Sequence, residues 1–197
     1  MRKVYLLLVT VALLLSMAGQ AAASAITYKE QVTASGTLGS NPFTDALLTI
    51  SWTGDTTGVT GGSGFFTNQA GPNTVSLNIA GLGNFIFTDD MDVFVNQNFF
   101  PPAVGFGSNT TRGSVLDTLD NAFGTYDLTT AIGPITDTSF IRPDLPNGTT
   151  GGLLTIVSAG DSTFTATLGA TTPEPSSILL FGSGILGLAG VLRRKLL

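Results

Sequence analysis

The chain has 197 residues, of which 43% are hydrophobic and only 11% charged, with 25 glycines, no cysteine and no histidine. This inventory excludes disulfides, thiol catalysis, zinc–thiolate and histidine-ligated metal sites, and hydrolases of the Ser-His-Asp type. The formal net charge of −5 hides an asymmetry, because five of the eight basic residues sit at the two tips and residues 26–172 carry twelve Asp or Glu against Lys29, Arg112 and Arg142, a net −9. A body so acidic repels the phosphate backbone on which nucleic-acid binding relies, which leaves cations and neutral polymers as fitting ligands.

At the N-terminus, Arg2 and Lys3 precede an apolar run over residues 4–18 that only Thr10 and Ser16 interrupt, and Ala21-Ala22-Ala23-Ser24-Ala25 follows. A positive tip, a short apolar stretch and small residues form a secretory signal peptide, assigned to residues 1–25. Signal peptidase requires small side chains at positions −3 and −1. Cleavage after Ala23 or after Ala25 satisfies this, so the mature chain begins at Ser24 or Ile26.

Residues 26–171 read as one β-rich ectodomain. Apolar and polar residues alternate over 26–32, 48–52 and 75–79, and the same signal returns at 85–87, 93–95, 153–157 and 163–167, separated by Gly, Asn, Asp and Pro clusters. Period two in segments rich in Val, Ile, Thr and aromatics predicts half-buried strands. Their spacing predicts an all-β fold, an antiparallel, jelly-roll-like sandwich. A parallel β-helix is the alternative, and no fixed repeat supports it. Residues 58–64, with four glycines, read as a mobile loop. Residues 96–109 fit the pattern poorly, and Phe99-Phe100-Pro101-Pro102 within them reads as core filling at a strand corner, or else as a ligand platform.

The densest acidic group is Asp89-Asp90-Met91-Asp92. In extended chain Asp90 and Asp92 would point to one face about 6–7 Å apart, a separation at which carboxylates can share Ca²⁺. Asp89, Asp90 and Asp92 are therefore the candidate metal ligands, with a solvated acidic turn as the competing reading. Asp117 and Asp120 form a weaker group of the same kind. Glu30 is the only Glu of the body and Trp52 its only Trp. No catalytic constellation emerges from such a set, which predicts a protein that is not an enzyme and holds no cofactor other than that calcium.

The C-terminus runs Thr172-Pro173-Glu174-Pro175-Ser176-Ser177, continues apolar through residue 192, and ends in Arg193-Arg194-Lys195-Leu196-Leu197. Residues 176–192 would span about 26 Å as a helix, just enough for a bilayer core of about 30 Å. Pro173 and Pro175 make a stiff spacer in front of it. Because positive charge resists translocation, both basic tips should stay in the cytoplasm and everything between them lie outside.

This tail resembles the PEP-CTERM protein-sorting signal, from which it departs only in ending Lys-Leu-Leu where family tails are often runs of Arg. The resemblance implies a membrane protease-transpeptidase of the exosortase type as partner. Pro173, Glu174 and Pro175 would carry recognition, and Arg193, Arg194 and Lys195 would hold the stop-transfer end inside. It also implies a chain held transiently at the inner membrane and then passed to the cell surface or extracellular matrix, in a bacterium that builds exopolysaccharide and biofilm. The expected function is that of an exported, non-enzymatic surface or matrix protein. The alternative is a Ca²⁺-dependent carbohydrate-binding module that holds exopolysaccharide.

Overall fold

A computed structural model of the chain describes residues 24–169. The signal-peptide stretch through Ala23 and the tail from residue 170 lie outside the described residues. The long strand β1 (Ala25–Leu38) buries every second residue along its whole length, which is what the alternation in the sequence demands of a strand with one wet face. It pairs antiparallel with β2 (Asn41–Asp55) through a tight turn and with β13 (Gly152–Leu168), the last strand. Around this ribbon the first sheet has the order β10 (Ile132–Asp137), β13, β1, β2, β5 (Ser76–Ile79), β6 (Gly83–Ile86), and β12 (Asn147–Thr149) adds to β13. The second sheet has the order β11 (Ser139–Phe140), β9 (Gly113–Leu119), β8 (Ala103–Ser108), β7 (Met91–Asn96), β4 (Phe65–Gly71), β3 (Val59–Gly62). Every pairing in both sheets is antiparallel.

The two sheets face each other across one core. Ile26, Val32, Leu48, Ile50 and Leu77 enter it from the first sheet, and Val93, Val95, Val104, Phe106 and Leu116 from the second. The all-β expectation is met. Among the described residues no helix is long and apolar enough to cross a membrane, and residues 176–192 are not among them.

Aromatic rings close one end of the core. Phe164 of β13 meets Phe123 edge-on with centroids 5.9 Å apart, Tyr126 at 6.2 Å and Tyr28 at 6.4 Å. Phe123 is carried by a short 3-10 turn over Asn121–Thr125, which Asp120 caps by accepting from the Ala122 N–H at 2.6 Å. The Tyr28 hydroxyl donates to the Leu128 carbonyl at 2.7 Å and accepts from Asn68 at 3.1 Å, so the polar atom that enters with the ring is satisfied.

Three local expectations are corrected. The glycine-rich stretch 58–64 leads into the β3–β4 hairpin: Gly61 and Gly62 pair with Phe66 and Phe65, and Ser63 and Gly64, both at positive φ, form the turn. Segments 153–157 and 163–167 belong to one strand, since Ser158, Ala159 and Ser162 between them keep pairing with β1 across two register shifts. Phe99 and Phe100 do not fill the core: they are 42% and 91% exposed. Phe99 instead meets Phe140 with centroids 6.1 Å apart.

Replacing Phe164 with Ala removes the ring shared by Tyr28, Phe123 and Tyr126. We expect a loss of roughly 3–5 kcal/mol, read as a lower denaturation midpoint at unchanged slope.

Candidate functional site

Asp89 and Asp90 lie in the turn before β7, and Asp92 lies on it. The Asp89 carboxylate accepts from the Gly148 N–H at 2.9 Å and lies 3.4 Å from the Ser108 hydroxyl, which ties this turn to β12. Asp90 is exposed, while its backbone exchanges bonds with Asn109 and Thr110. Asp92 is buried, and its carboxylate leans over Gly107 of β8: a Cβ there would come within 2.5 Å of Asp92 Oδ1. The strand begins at Met91, so Asp90 stands just before it and Asp92 within it. Among the described residues no three Asp, Glu, His or Cys side chains come together as a metal-holding group.

Asp92 also lies close enough to Asp117 for its charge to act there. Asp117 was read as part of a solvated turn, but it lies buried on β9, opposite Gly105 of β8, and a Cβ at Gly105 would meet its Oδ1 at 2.7 Å. The two carboxyls thus approach β8 from strands on either side and rest over two glycines where any side chain would collide. Ser114 donates to Asp117 Oδ2 at 2.6 Å, and Oδ1 has no partner. Burial pushes Asp92 up to about 6, with the Asp90 charge adding to it. Burial also raises Asp117 well above the usual carboxylate range; the Ser114 bond opposes that rise and the Asp92 charge reinforces it.

On the other face of the second sheet sits a third buried acid that the sequence reading noted only as the body's sole Glu. Glu30 shares the period-two face of Ile26, Tyr28 and Val32, so the alternation itself carries it into the core, where it is fully buried. Thr118 Oγ1 lies 2.9 Å from Glu30 Oε1 and 2.8 Å from Ser162 Oγ, and Ser162 donates to the Asp117 carbonyl at 3.2 Å. Ser162 spends its one hydroxyl proton on that carbonyl, and Thr118 has one proton for two neighbours. All three contacts are filled together only when Glu30 brings a proton of its own. Burial, and then the Asp117 charge, raise Glu30 well above its ordinary value, in agreement with the proton count.

The sorting residues Pro173, Glu174, Pro175, Arg193, Arg194 and Lys195 lie outside the described residues. A family model described as the PEP-CTERM protein-sorting motif matches residues 171–195. The chain carries a PEP-CTERM sorting motif. The matched stretch contains all six of those residues. A PEP-CTERM motif implies processing by an exosortase, association with a membrane, and export to the cell envelope. It does not extend to the β-body, and no curated protein and no solved structure matches the chain.

Glu30, Asp92 and Asp117 all bind their protons more tightly folded than unfolded. Their stabilising contribution is therefore complete below the ordinary carboxylate range and fades as pH rises, through about 6 for Asp92 and higher for the other two. Thermal unfolding should show a higher midpoint at pH 5 than at pH 8, by at least about 3 °C. Glu30→Gln and Asp117→Asn should flatten that slope and raise the midpoint at pH 8; a midpoint that climbs with pH would contradict the assignment.

Proposed function

We propose that the chain is an exported, non-enzymatic surface or matrix protein, anchored transiently by residues 176–192 and released when an exosortase cuts near Pro173-Glu174-Pro175. The observation that carries this reading is the sorting motif at the C-terminus, set behind a self-contained β-body. In this reading Arg193, Arg194 and Lys195 hold the tail in the cytoplasm, and residues 26–171 form the displayed domain, a jelly-roll-like sandwich.

The ends of the body support it. Ile26 pairs with Leu168, and the Gly169 N–H donates to the Ala25 carbonyl at 2.7 Å, so β1 begins beside the point where β13 ends. The first and last described residues of the body therefore lie at one end of the sandwich. That is the geometry a chain needs when signal peptide and anchor insert in the same membrane with the body between them outside. Thr56 donates to the Ser24 carbonyl at 3.0 Å, and Ala25 pairs with Asp55. Cleavage after Ala23 keeps those contacts, whereas cleavage after Ala25 deletes them, which favours Ser24 as the mature start.

A non-enzymatic role accords with the acids. Glycosidase chemistry needs one protonated and one ionised carboxyl at a reachable bond. Here the two raised carboxyls of the second sheet are 8% and 3% exposed, closed against substrate.

Intact mass of the protein recovered from native cells tests the proposal. We expect a membrane form and an external form, the latter beginning at Ser24 and ending near Pro175. Changing Pro173, Glu174 and Pro175 together to Ala should leave only chains that retain Arg193 to Leu197. An external form that still carries the basic tail would refute exosortase release.

A further inference from the structure

We propose that the end of the body at Gly169 rests on the bilayer surface, with Phe99 and Phe100 inserted among zwitterionic lipid headgroups. This rests on the anchor reading above and adds to it a membrane contact made by the β-body itself.

The loop over residues 97–102 joins β7 to β8 and is held at both ends. The Gln97 N–H donates to the Gly64 carbonyl at 2.7 Å, the Gln97 side-chain amide to the Tyr126 carbonyl at 2.7 Å, and Asn98 to the Ser63 carbonyl at 2.9 Å. On the far side, the Pro102 carbonyl accepts from the Asp120 N–H at 3.0 Å. Tyr126 and the turn that Asp120 caps form the segment that closes the core against Phe164. From there the chain enters β10, where Ile132 pairs with Ala166, just short of Leu168 and Gly169. The loop and the C-terminal exit of the body therefore share one end of the sandwich. The turn at Gly39 and Ser40, where β1 hands over to β2, marks the other.

Phe100 is 91% exposed, and Phe65 and Phe99 are the other exposed aromatic rings among the described residues. All three lie at this end, Phe65 beside the turn to which Gln97 and Asn98 donate. Leu168, also exposed, stands at the exit. Rings left in water on a loop so held mark a contact surface. A loop already ordered loses little further entropy when it inserts.

The length of chain beyond Gly169 selects the partner. Residues 170–175 separate it from the segment 176–192 read as the anchor, at most about 25 Å of extended chain. β1 alone, with 14 residues, is about 46 Å long at the usual rise per residue. The tether is shorter than the body, so the Gly169 end is held next to the interface and lipid is the surface it meets first. Charge selects the headgroup. Among the described residues the cations stand elsewhere: Lys29 on the outer face of the first sheet, Arg112 in the β8–β9 turn, and Arg142 paired with Asp144. Asp120 and Asp127 flank the segment against which the loop packs, so an anionic surface is repelled there and a zwitterionic one is not.

Phe and Leu side chains bind at the boundary of headgroups and acyl chains. Tethering supplies the effective concentration that lets so small an apolar patch dock. Once an exosortase cuts the tether, the patch alone holds weakly and the body leaves the membrane.

No cysteine occurs in the chain, so one introduced cysteine carries an environment-sensitive fluorophore at a single place. The full chain with Phe100→Cys, or with Ser40→Cys as a control at the other end, is labelled and reconstituted into phosphatidylcholine vesicles. We expect both chains to float with the vesicles. The label at position 100 should shift to the blue and lose emission when the acyl chains carry bromine, and the label at position 40 should do neither. Adding Phe99→Ser should lessen the loss at position 100. Floating chains in which position 100 is as wet as position 40 would overturn the docking and leave the anchor standing. Chains that fail to float would overturn the anchor reading and the docking with it. A blue shift without bromine quenching, rising with the protein-to-lipid ratio, would give the rings to a second copy and overturn the proposal. So would a response confined to vesicles of anionic lipid.

Discussion

β1 is hydrogen-bonded on both sides over nearly its full length, to β2 on one and β13 on the other. Without that three-stranded ribbon neither sheet has a base: β5 and β6 extend it past β2, β10 and β12 extend it past β13, and the second sheet packs its apolar face onto the residues β1 turns inward. Because β13 is the last strand of the body, the ribbon joins the two ends of the domain. The cost is a high loop-closure entropy in folding, since residues more than a hundred positions apart must meet. What is gained is a body whose ends are locked together, with the sorting motif following at its C-terminal side.

A second constraint runs through the acids. Glu30, Asp117 and Asp92 lie on or against the second sheet at depths from fully to nearly buried, and Asp90, exposed, continues the series to solvent. Among the described residues no cation pairs with them, so protonation replaces ion pairing as the way to keep them inside. Among the described residues the one ion pair is Arg142 with Asp144, on the surface, where such contacts contribute little. Burying three carboxyls in a disulfide-free body makes stability depend on proton activity, and places the best conditions for the fold on the acidic side of neutral.

The two broad faces have separate chemistry. The outer face of the second sheet holds buried acids over glycines with Phe65 stacked on Phe94 beside them, and the outer face of the first sheet carries Thr, Ser, Asn and Gln, with Lys29 among them.

Local pattern alone determined the all-β class and the sorting tail. Period-two alternation does not depend on what the strand packs against, and a motif such as Pro-Glu-Pro with an apolar run and a basic tip is read from consecutive residues. β8 escaped that reading because its wet-face positions are glycines, Gly105 and Gly107, so the polar half of the alternation is missing. The same positions explain Asp92 and Asp117: their burial is decided by strand register, which places each carboxyl over a glycine of a neighbouring strand. Glu30 was legible in principle from its place between Tyr28 and Val32, but not its partners Thr118 and Ser162, which are 88 and 132 residues away and arrive only when the sheets close. Composition and local motif reveal where the chain is sent; register and sheet packing decide which of its polar groups are buried.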